Sequence, residues 1–247
     1  MTKALRLGRL FGADGRTLVV AMDRPRALLT KSLSAPHLTV RQCRETHVDA
    51  VIVPLGTLRT VAEHLGGLGT IFSVREGIST SAAVDVALQW GVDAIKYEAF
   101  PCGPAEQETM PVLEALGRAC DAAGIPLMAE VVPHSFDATD QHTADAVSAA
   151  ARMAMECGAD VVKVPLPTDG DLTAVVENAV VPVVVLGGPV TDRASFLQRV
   201  RSVVGAGAAG LAVGRNMFEA PDPRQMAADL CAIIHPRTRR TNSPSTP

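Results

Sequence analysis

Short runs of β-branched and other apolar residues recur along the chain, and each is followed by a stretch that suits a helix. The eight runs show little strict alternation of apolar and polar positions, which is typical of parallel strands covered by helices. The predicted strands are 17–22, 50–54, 70–74, 94–98, 126–132, 160–165, 182–186 and 210–214. The predicted helices include 80–90, 105–123, 143–157, 193–204 and 223–234.

Regular alternation of strands and helices predicts an α/β protein with a parallel sheet. Eight such units in 247 residues match the usual size of a closed (β/α)8 TIM barrel with a single domain. An open, doubly wound sheet is the alternative, and it is less favoured because no G-x-G-x-x-G turn follows the first strand. We expect the barrel to span residues 1–235. Residues 236–247 lack large apolar side chains and are expected to form a disordered tail.

A short internal repeat strengthens the barrel prediction. The segments GVDAIK at 91–96 and GADVVK at 158–163 share a Gly after a helix, an Asp that opens a strand and a Lys near its end. A glycine that caps the helix explains the first feature. It does not explain Lys96 and Lys163, whose positions approach the end of a barrel at which active sites are built.

Composition excludes several classes of protein. The net charge of −3 gives no basic excess for binding nucleic acid, and no apolar run approaches the roughly 20 residues that span a bilayer. The N-terminus also lacks the features of a signal peptide, so we expect a cytoplasmic protein. The five cysteines form no C-x-x-C pair, and among the six histidines only His134 falls near a strand end. A disulfide framework and a zinc site are therefore not expected.

Ionisable residues lie near the ends of four predicted strands: Asp23, Lys96, Glu130 and Lys163. A buried lysine near a second cation would have a lowered pKa, which would make its amine a nucleophile for carbonyl groups. A neighbouring carboxylate could transfer protons while the imine forms. These residues therefore suit Schiff-base chemistry. The alternative is a single buried network of salt bridges.

Two glycine segments follow the seventh and eighth strands. The first segment contains Gly187 and Gly188, and the second contains Gly214 and Arg215. Loops at these two strands are a usual phosphate site in barrels, where exposed N–H groups and an arginine contact the phosphate oxygens. Either segment alone could be only a tight turn, but their combined positions favour phosphate binding.

With these motifs the sequence resembles the class I, Schiff-base fructose-bisphosphate aldolase family of the DhnA type, which is grouped with the DeoC and LacD aldolases. The motifs that carry the resemblance are GADVVK at 158–163, GGP at 187–189 and GRN at 214–216, in this order. The similarity runs from about residue 17 to residue 235. It implies that Lys163 forms the imine, that Asp23 is the aspartate of the first strand, and that the two glycine segments bind phosphate.

The chain departs from the family pattern at two places. Arg24 follows Asp23 where many members have histidine, and residues 132–135 read Val-Pro-His-Ser where many members have Tyr-Pro-Arg-Gly, so the family's tyrosine acid is absent. Tagatose-bisphosphate and sulfofructose-phosphate aldolases carry a lysine on the fourth strand and a glutamate on the fifth, and this chain is similar to them there. The resemblance implies that Glu130 transfers protons and that Lys96 orients it. Side chains alternate along a strand, so Lys96 rather than Tyr97 is expected to face the interior.

The expected function is that of a metal-independent class I aldolase, a carbon–carbon lyase that acts on a phosphorylated ketose without a cofactor. Dihydroxyacetone phosphate is the expected donor or product, and Arg24 and His134 are expected near the substrate. Two alternatives stay open. One is a transferase of the same family, either like the aminodeoxyheptulosonate synthases or like its thiolase-type members. The other is a barrel that binds phosphosugars without catalysis. Self-association is expected from family habit alone.

Overall fold

Eight parallel strands pair in sequence order and close into a barrel in the computed structural model, which describes residues 1–23, 33–75 and 77–236. The eighth strand pairs with the first, so the sheet has no free edge. The strands are β1 (Thr17–Ala21), β2 (Ala50–Val53), β3 (Gly69–Ser73), β4 (Ala94–Ala99), β5 (Leu127–Val131), β6 (Val161–Val164), β7 (Val183–Leu186) and β8 (Gly210–Val213). The predicted TIM barrel is confirmed, and each predicted strand agrees to within one residue at either end.

Helices surround the barrel in the described part of the chain. They are α1 (Lys3–Leu10), α2 (Pro36–Glu45), α3 (Leu55–Val61), α4 (Thr80–Trp90), α5 (Glu106–Ala123), α6 (Ala144–Glu156), α7 (Leu172–Ala179), α8 (Arg193–Gly205), α9 (Arg215–Phe218) and α10 (Pro223–Ile234). Single 3₁₀ turns form at Ala62–His64 and Thr139–Gln141. The five predicted helices are confirmed. The expected tail falls outside the described residues from residue 237 onward.

Local sequence signals set the helix boundaries. The side chain of Asp192 accepts a hydrogen bond from the N–H of Ser195 at 2.9 Å at the start of α8, and Asp222 caps α10 in the same way. Such caps satisfy N–H groups that have no partner inside the helix. Gly91 and Gly124 end α4 and α5 with φ of 64° and 66°, a left-handed conformation that glycine adopts without steric cost.

The core has two layers, one on each side of the sheet. The outer layer lies between the strands and the helices and contains most of the buried apolar residues, including Tyr97. The inner layer fills the barrel with side chains that include Val19, Ile52, Ile71 and Met128. Alternation along each strand sends neighbouring residues to opposite layers, which is why the strands read as continuous apolar runs.

Helix α1, which the sequence analysis did not predict, closes the end of the barrel at which the strands begin. Leu10 belongs to the inner apolar layer, and Leu7 and Phe11 pack against it. The hydroxyl of Thr17 at the start of β1 donates to the carbonyl oxygen of Leu10 at 2.6 Å. Apolar side chains of α1 therefore cover the barrel interior at this end.

The two aspartates of the internal repeat, Asp93 and Asp160, have a structural role that Asp49 shares. Asp49, Asp93 and Asp160 lie just before β2, β4 and β6, and each accepts a hydrogen bond from a backbone N–H at the start of the preceding strand. The donors are Leu18, Thr70 and Leu127, at 2.7, 3.0 and 2.8 Å. The repeated Asp therefore joins neighbouring strands beneath the barrel.

Each of these aspartates also meets a basic side chain. Asp160 pairs with Lys3 at 2.9 Å, Asp93 with Arg9 at 3.3 Å, and Asp49 with His235 at 2.9 Å. Two of the three cations come from α1, so the same ion pairs fasten this helix to the barrel. No helix in the described residues is long and apolar enough to cross a membrane.

Candidate active site

A polar layer replaces the apolar one where the strands end. Lys96, Glu130 and Lys163 project into the barrel from β4, β5 and β6, and each is at most 3% exposed. Glu130 pairs with Glu98 of β4 on one side and with Lys163 of β6 on the other in the strand register. The register therefore brings residues from three strands to one level.

The ammonium group of Lys96 is the centre of this layer. It lies 2.9 Å from Oδ2 of Asp23 and 2.5 Å from Oε1 of Glu98, and it also contacts Oε2 of Glu130. Three carboxylates thus surround one fully buried cation. Glu98 is the most exposed of them, with 43% of its side chain accessible.

Lys163 has a simpler environment. Its Nζ lies 2.9 Å from Oε1 of Glu130, which is the one ion pair of this lysine among the described residues. Glu130 therefore contacts both lysines, one with each carboxylate oxygen. The predicted grouping of Asp23, Lys96, Glu130 and Lys163 is what the structure brings together.

Asp23 follows β1 and is held by two further groups. The hydroxyl of Ser73 donates to its Oδ2 at 2.7 Å, and the guanidinium of Arg75 donates to its backbone oxygen at 2.6 Å. Both partners come from the end of β3. These contacts fix the carboxylate that receives Lys96.

The charges of the cluster determine its protonation. Burial disfavours a charged lysine, but Asp23, Glu130 and Glu98 outweigh it and raise the pKa of Lys96 above its usual value. The sequence-based expectation of a lowered lysine pKa is therefore wrong for Lys96, because its nearest neighbours are anions.

The two buried acids shift in the opposite direction. Burial alone would raise the pKa of Glu130, yet Lys163 and Lys96 lower it. The pKa of Asp23 is also lowered: Lys96 and Lys163 outweigh its burial, and Ser73 adds a hydrogen bond. Both carboxylates are ionised at neutral pH.

Carboxylate oxygens of Asp23, Glu98 and Glu130 lie within 4.8 Å of one another, a grouping that could hold a metal ion. Lys96 contacts all three. The acidic cluster therefore already has a cation in the described structure, supplied by the chain itself.

Sequence reasoning missed three residues of this layer: Ser73, Arg75 and Glu98. The alternation that predicted an inward Lys96 also predicts an inward Glu98 two residues later. The signal for Glu98 was therefore present. Ser73 and Arg75 carried no comparable signal, because their roles depend on the position of the end of β3 relative to Asp23, two strands away in the barrel.

The two glycine segments lie side by side. The N–H of Gly187 donates to the carbonyl oxygen of Ala212 at 2.9 Å, and Gly188 has a φ of 69°. Gly214 precedes α9, whose first residue is Arg215. The buried side chain of Asn216 joins the two segments, donating to the carbonyl oxygens of Gly187, Gly188 and Pro189 at 3.1, 3.4 and 2.9 Å.

Other predicted site residues lie outside the cluster of charges. His134 follows β5 with a φ of 61°, and its N–H donates to the carbonyl oxygen of Pro101 at 2.9 Å. In the described chain, neither the His134 ring nor the Arg215 guanidinium bonds to the lysines or their carboxylates. Tyr97 packs in the outer layer, as its neighbour Lys96 faces inward. The prediction for Arg24 falls outside the described residues.

Comparison with known protein families identifies the barrel. The model of the DeoC/LacD family aldolases matches residues 17–220, which include all eight strands. The chain belongs to the DeoC/LacD aldolase family. The family resemblance found in the sequence is thus confirmed, and with it the assignment of the protein as an enzyme of the lyase type.

Curated relatives of this aldolase include enzymes with different products. It is 31% identical to 2-amino-3,7-dideoxy-D-threo-hept-6-ulosonate synthase 1 of Archaeoglobus fulgidus, over 94% of the chain and 91% of the relative. It is also 31% identical to 2-amino-4,5-dihydroxy-6-oxo-7-(phosphonooxy)heptanoate synthase of Streptomyces griseus, over 94% and 90%. Identity to the class 1 fructose-bisphosphate aldolase of Thermoproteus tenax is 27%, over 92% of each chain.

A solved structure with the same architecture is that of a Schiff-base-forming fructose-1,6-bisphosphate aldolase. It superposes on this aldolase with a TM-score of 0.81, at 26% identity, and covers 95% of this chain and 100% of the other. An archaeal fructose-1,6-bisphosphate aldolase whose catalytic lysine is bound to a carbinolamine intermediate gives a TM-score of 0.80 at 25% identity, over 94% and 99%.

Proposed function

We propose that this aldolase forms a Schiff base between Lys163 and a phosphorylated ketone, and that it makes or breaks a carbon–carbon bond through the resulting enamine. The observation that carries the proposal is the unequal environment of the two buried lysines. Lys96 is paired with three carboxylates and stays charged, whereas Lys163 meets Glu130 alone in the described structure. Lys163 is therefore the better nucleophile.

The reaction in the cleavage direction begins when the uncharged amine of Lys163 attacks the ketone carbon. The carbonyl oxygen takes up protons and leaves as water, which gives an iminium. The C4 hydroxyl then loses its proton, the C3–C4 bond breaks, and its electron pair enters the iminium to form an enamine. The aldehyde leaves, C3 takes up a proton, and water hydrolyses the iminium to return the ketone and the lysine.

Glu130 is the proposed proton carrier in these steps. Its Oε1 lies 2.9 Å from the nitrogen that becomes the iminium, so it can accept a proton from Lys163 before the attack. Its lowered pKa keeps it ionised as a base at neutral pH. The neighbouring ammonium of Lys96 orients the second oxygen, and Asp23 in turn orients Lys96.

A phosphorylated ketone is the proposed substrate class because the names of two kinds of relative contain one and the glycine segments suit it. The name of the S. griseus enzyme's product contains a 6-oxo group beside a 7-phosphonooxy group, and fructose 1,6-bisphosphate carries a ketone beside a phosphate ester. Gly187, Gly188, Gly214 and Arg215 are the proposed contacts of the phosphate. Arg24 and His134 remain predicted substrate contacts.

A seven-carbon amino-ulosonate is the second candidate product, and the 31% identity to two enzymes named for such compounds favours it. For the product named for the S. griseus enzyme, the difference from fructose 1,6-bisphosphate lies in the aldehyde, not in the lysine chemistry. A product formed from dihydroxyacetone phosphate and an amino-acid semialdehyde would favour the second candidate. Formation of fructose 1,6-bisphosphate from glyceraldehyde 3-phosphate would favour the first.

Borohydride trapping tests the proposal. The protein is incubated with dihydroxyacetone phosphate and sodium borohydride in the presence of EDTA, and the modified peptide is identified by mass spectrometry. The chain has four lysines, so the assignment is unambiguous. We expect an adduct on Lys163 that is lost in Lys163→Met and retained in Lys3→Met, a control at the opposite end of the barrel.

Three other results would contradict this assignment. An adduct on Lys96 would move the Schiff base from β6 to β4. Binding of dihydroxyacetone phosphate without any adduct would favour a phosphosugar-binding barrel without catalysis. Bond formation that requires coenzyme A would favour an acyl transferase of the thiolase type.

A further inference from the structure

Both polar atoms of the Asn216 side chain form hydrogen bonds with the backbone. Its Nδ2 donates to the carbonyl oxygens of Gly187, Gly188 and Pro189, and its Oδ1 accepts the N–H of Thr191 at 3.1 Å. Asn216 is 5% exposed. All four partners belong to the backbone that runs from the end of β7 to the start of α8. Asn216 itself lies on α9, after β8.

This contact set fixes the direction of the peptide groups in the segment. No described peptide bond is cis, and in a trans peptide the N–H points opposite to the preceding carbonyl. The carbonyl groups of Gly187 and Pro189 face Asn216, so the N–H groups of Gly188 and Val190 face away from it. Neither N–H has a hydrogen-bond partner in the described part of the chain, and both residues are exposed.

Asn216 fixes the orientation of these two N–H groups on an exposed loop. Two such donors can bind an anion. Rigidity matters here because a loop that is already ordered loses less entropy when a ligand binds. Removing the Asn216 amide would leave three carbonyl groups without this donor and would release the loop from α9. The donors would then no longer be held in one orientation.

We propose that Asn216 is a positioning residue, which orders the loop after β7 so that the aldolase selects phosphorylated ketones over unphosphorylated ones. The inference rests on the proposed Schiff-base function and on the predicted phosphate contacts of Gly187 and Gly188. Asn216 does not touch the substrate. It acts through the backbone of the loop that does.

The test compares two donors that differ only in the phosphate. Half-saturation concentrations for borohydride trapping on Lys163 are measured with dihydroxyacetone phosphate and with dihydroxyacetone. For Asn216→Ala we expect the first to rise about tenfold, equivalent to about 1.4 kcal/mol, and the second to change less than about twofold. Inorganic phosphate should protect the wild type against trapping and should protect the variant correspondingly less.

Asn178→Ala is the matched control. Asn178 lies on the exposed face of α7, where its Nδ2 donates to Oγ of Ser148 at 2.9 Å. Its replacement should leave both half-saturation concentrations unchanged. The ratio between the two donors does not depend on how much of a variant is folded. Asn216→Ser, which keeps a hydroxyl donor, supplies an intermediate ratio if the alanine variant is too unstable to measure.

The possible results distinguish failure of the Schiff-base function from failure of the positioning role of Asn216. Absence of trapping in the wild type with either donor would overturn the Schiff-base function itself. Trapping in the wild type with both half-saturation concentrations unchanged in both Asn216 variants would leave that function intact and overturn the positioning role. An equal rise for both donors would also overturn it, because the amide would then support the site as a whole and not the phosphate.

Discussion

The carboxylate of Glu130 bridges two buried lysines, with Oε1 at 2.9 Å from Nζ of Lys163 and Oε2 in contact with the ammonium of Lys96. One lysine is thus tied to a large anionic cluster, and the other is tied to a single base. In the proposed reaction this asymmetry separates the permanent cation from the nucleophile. It also gives Glu130 one oxygen for orientation and one for proton transfer.

Replacement of Glu130 by glutamine should stop proton transfer while leaving the lysine in place. We expect deuterium exchange at C3 of dihydroxyacetone phosphate, followed by NMR in D2O, to fall by at least about 100-fold, because general base catalysis contributes about that much or more. Slow trapping on Lys163 should persist. Glu114→Gln, in an exposed pair with Arg118, is the control. Exchange at the wild-type rate in Glu130→Gln would assign the base to another group.

Replacement of Lys96 should destabilise the fold far more than replacement of its most exposed partner. Lys96→Met leaves three neighbouring carboxylates without their common cation, which should lower the free energy of unfolding by about 3–5 kcal/mol. Glu98→Gln should cost about 1 kcal/mol or less, because its side chain is 43% accessible to solvent. Urea denaturation measures both values. Equal losses in the two variants would contradict the central role of Lys96.

Below the barrel, His235 should make stability fall as the pH rises above the ordinary histidine pKa of 6.5. Partial burial opposes its charge, but hydrogen bonds to Asp14 and Asp49 raise its pKa above the usual value of 6.5. The stabilisation is therefore fully present below the unfolded-state pKa and is lost as the pH rises through the higher folded-state pKa.

Thermal denaturation of the wild type and His235→Gln at pH 6 and pH 9 checks this sign. The difference in Tm between them should be larger at pH 6. His64→Gln is the control, since no carboxylate among the described residues contacts that ring, and its difference should stay constant. A His235→Gln difference that grows towards pH 9 would show that the neutral histidine, not the charged one, stabilises the fold.

The strands could be predicted because each is a continuous apolar run between recognisable breakers, and burial in two layers leaves that pattern intact. The grouping of Lys96, Glu130 and Lys163 could be predicted for a related reason. Strand ends of a parallel barrel meet at one rim, so residues far apart in sequence come together there. Helix α1 was not predicted, because its role under the barrel depends on packing that no local pattern encodes.

The protonation of Lys96 could not be predicted from its position alone. The sequence indicated a second lysine nearby, but it did not show that three carboxylates converge on one ammonium. The role of Asn216 was also not predicted. It stands within a motif that the sequence analysis quoted, yet its contacts are with carbonyl groups of another loop, which composition and spacing do not reveal.

The position of α1 also affects how substrate and water reach the active site. Leu7, Leu10 and Phe11 form a floor under the inner apolar layer, so in the described structure Lys163 faces the end at which the strands finish. In the proposed reaction, the ketone, the departing aldehyde and the hydrolytic water would therefore use the same opening.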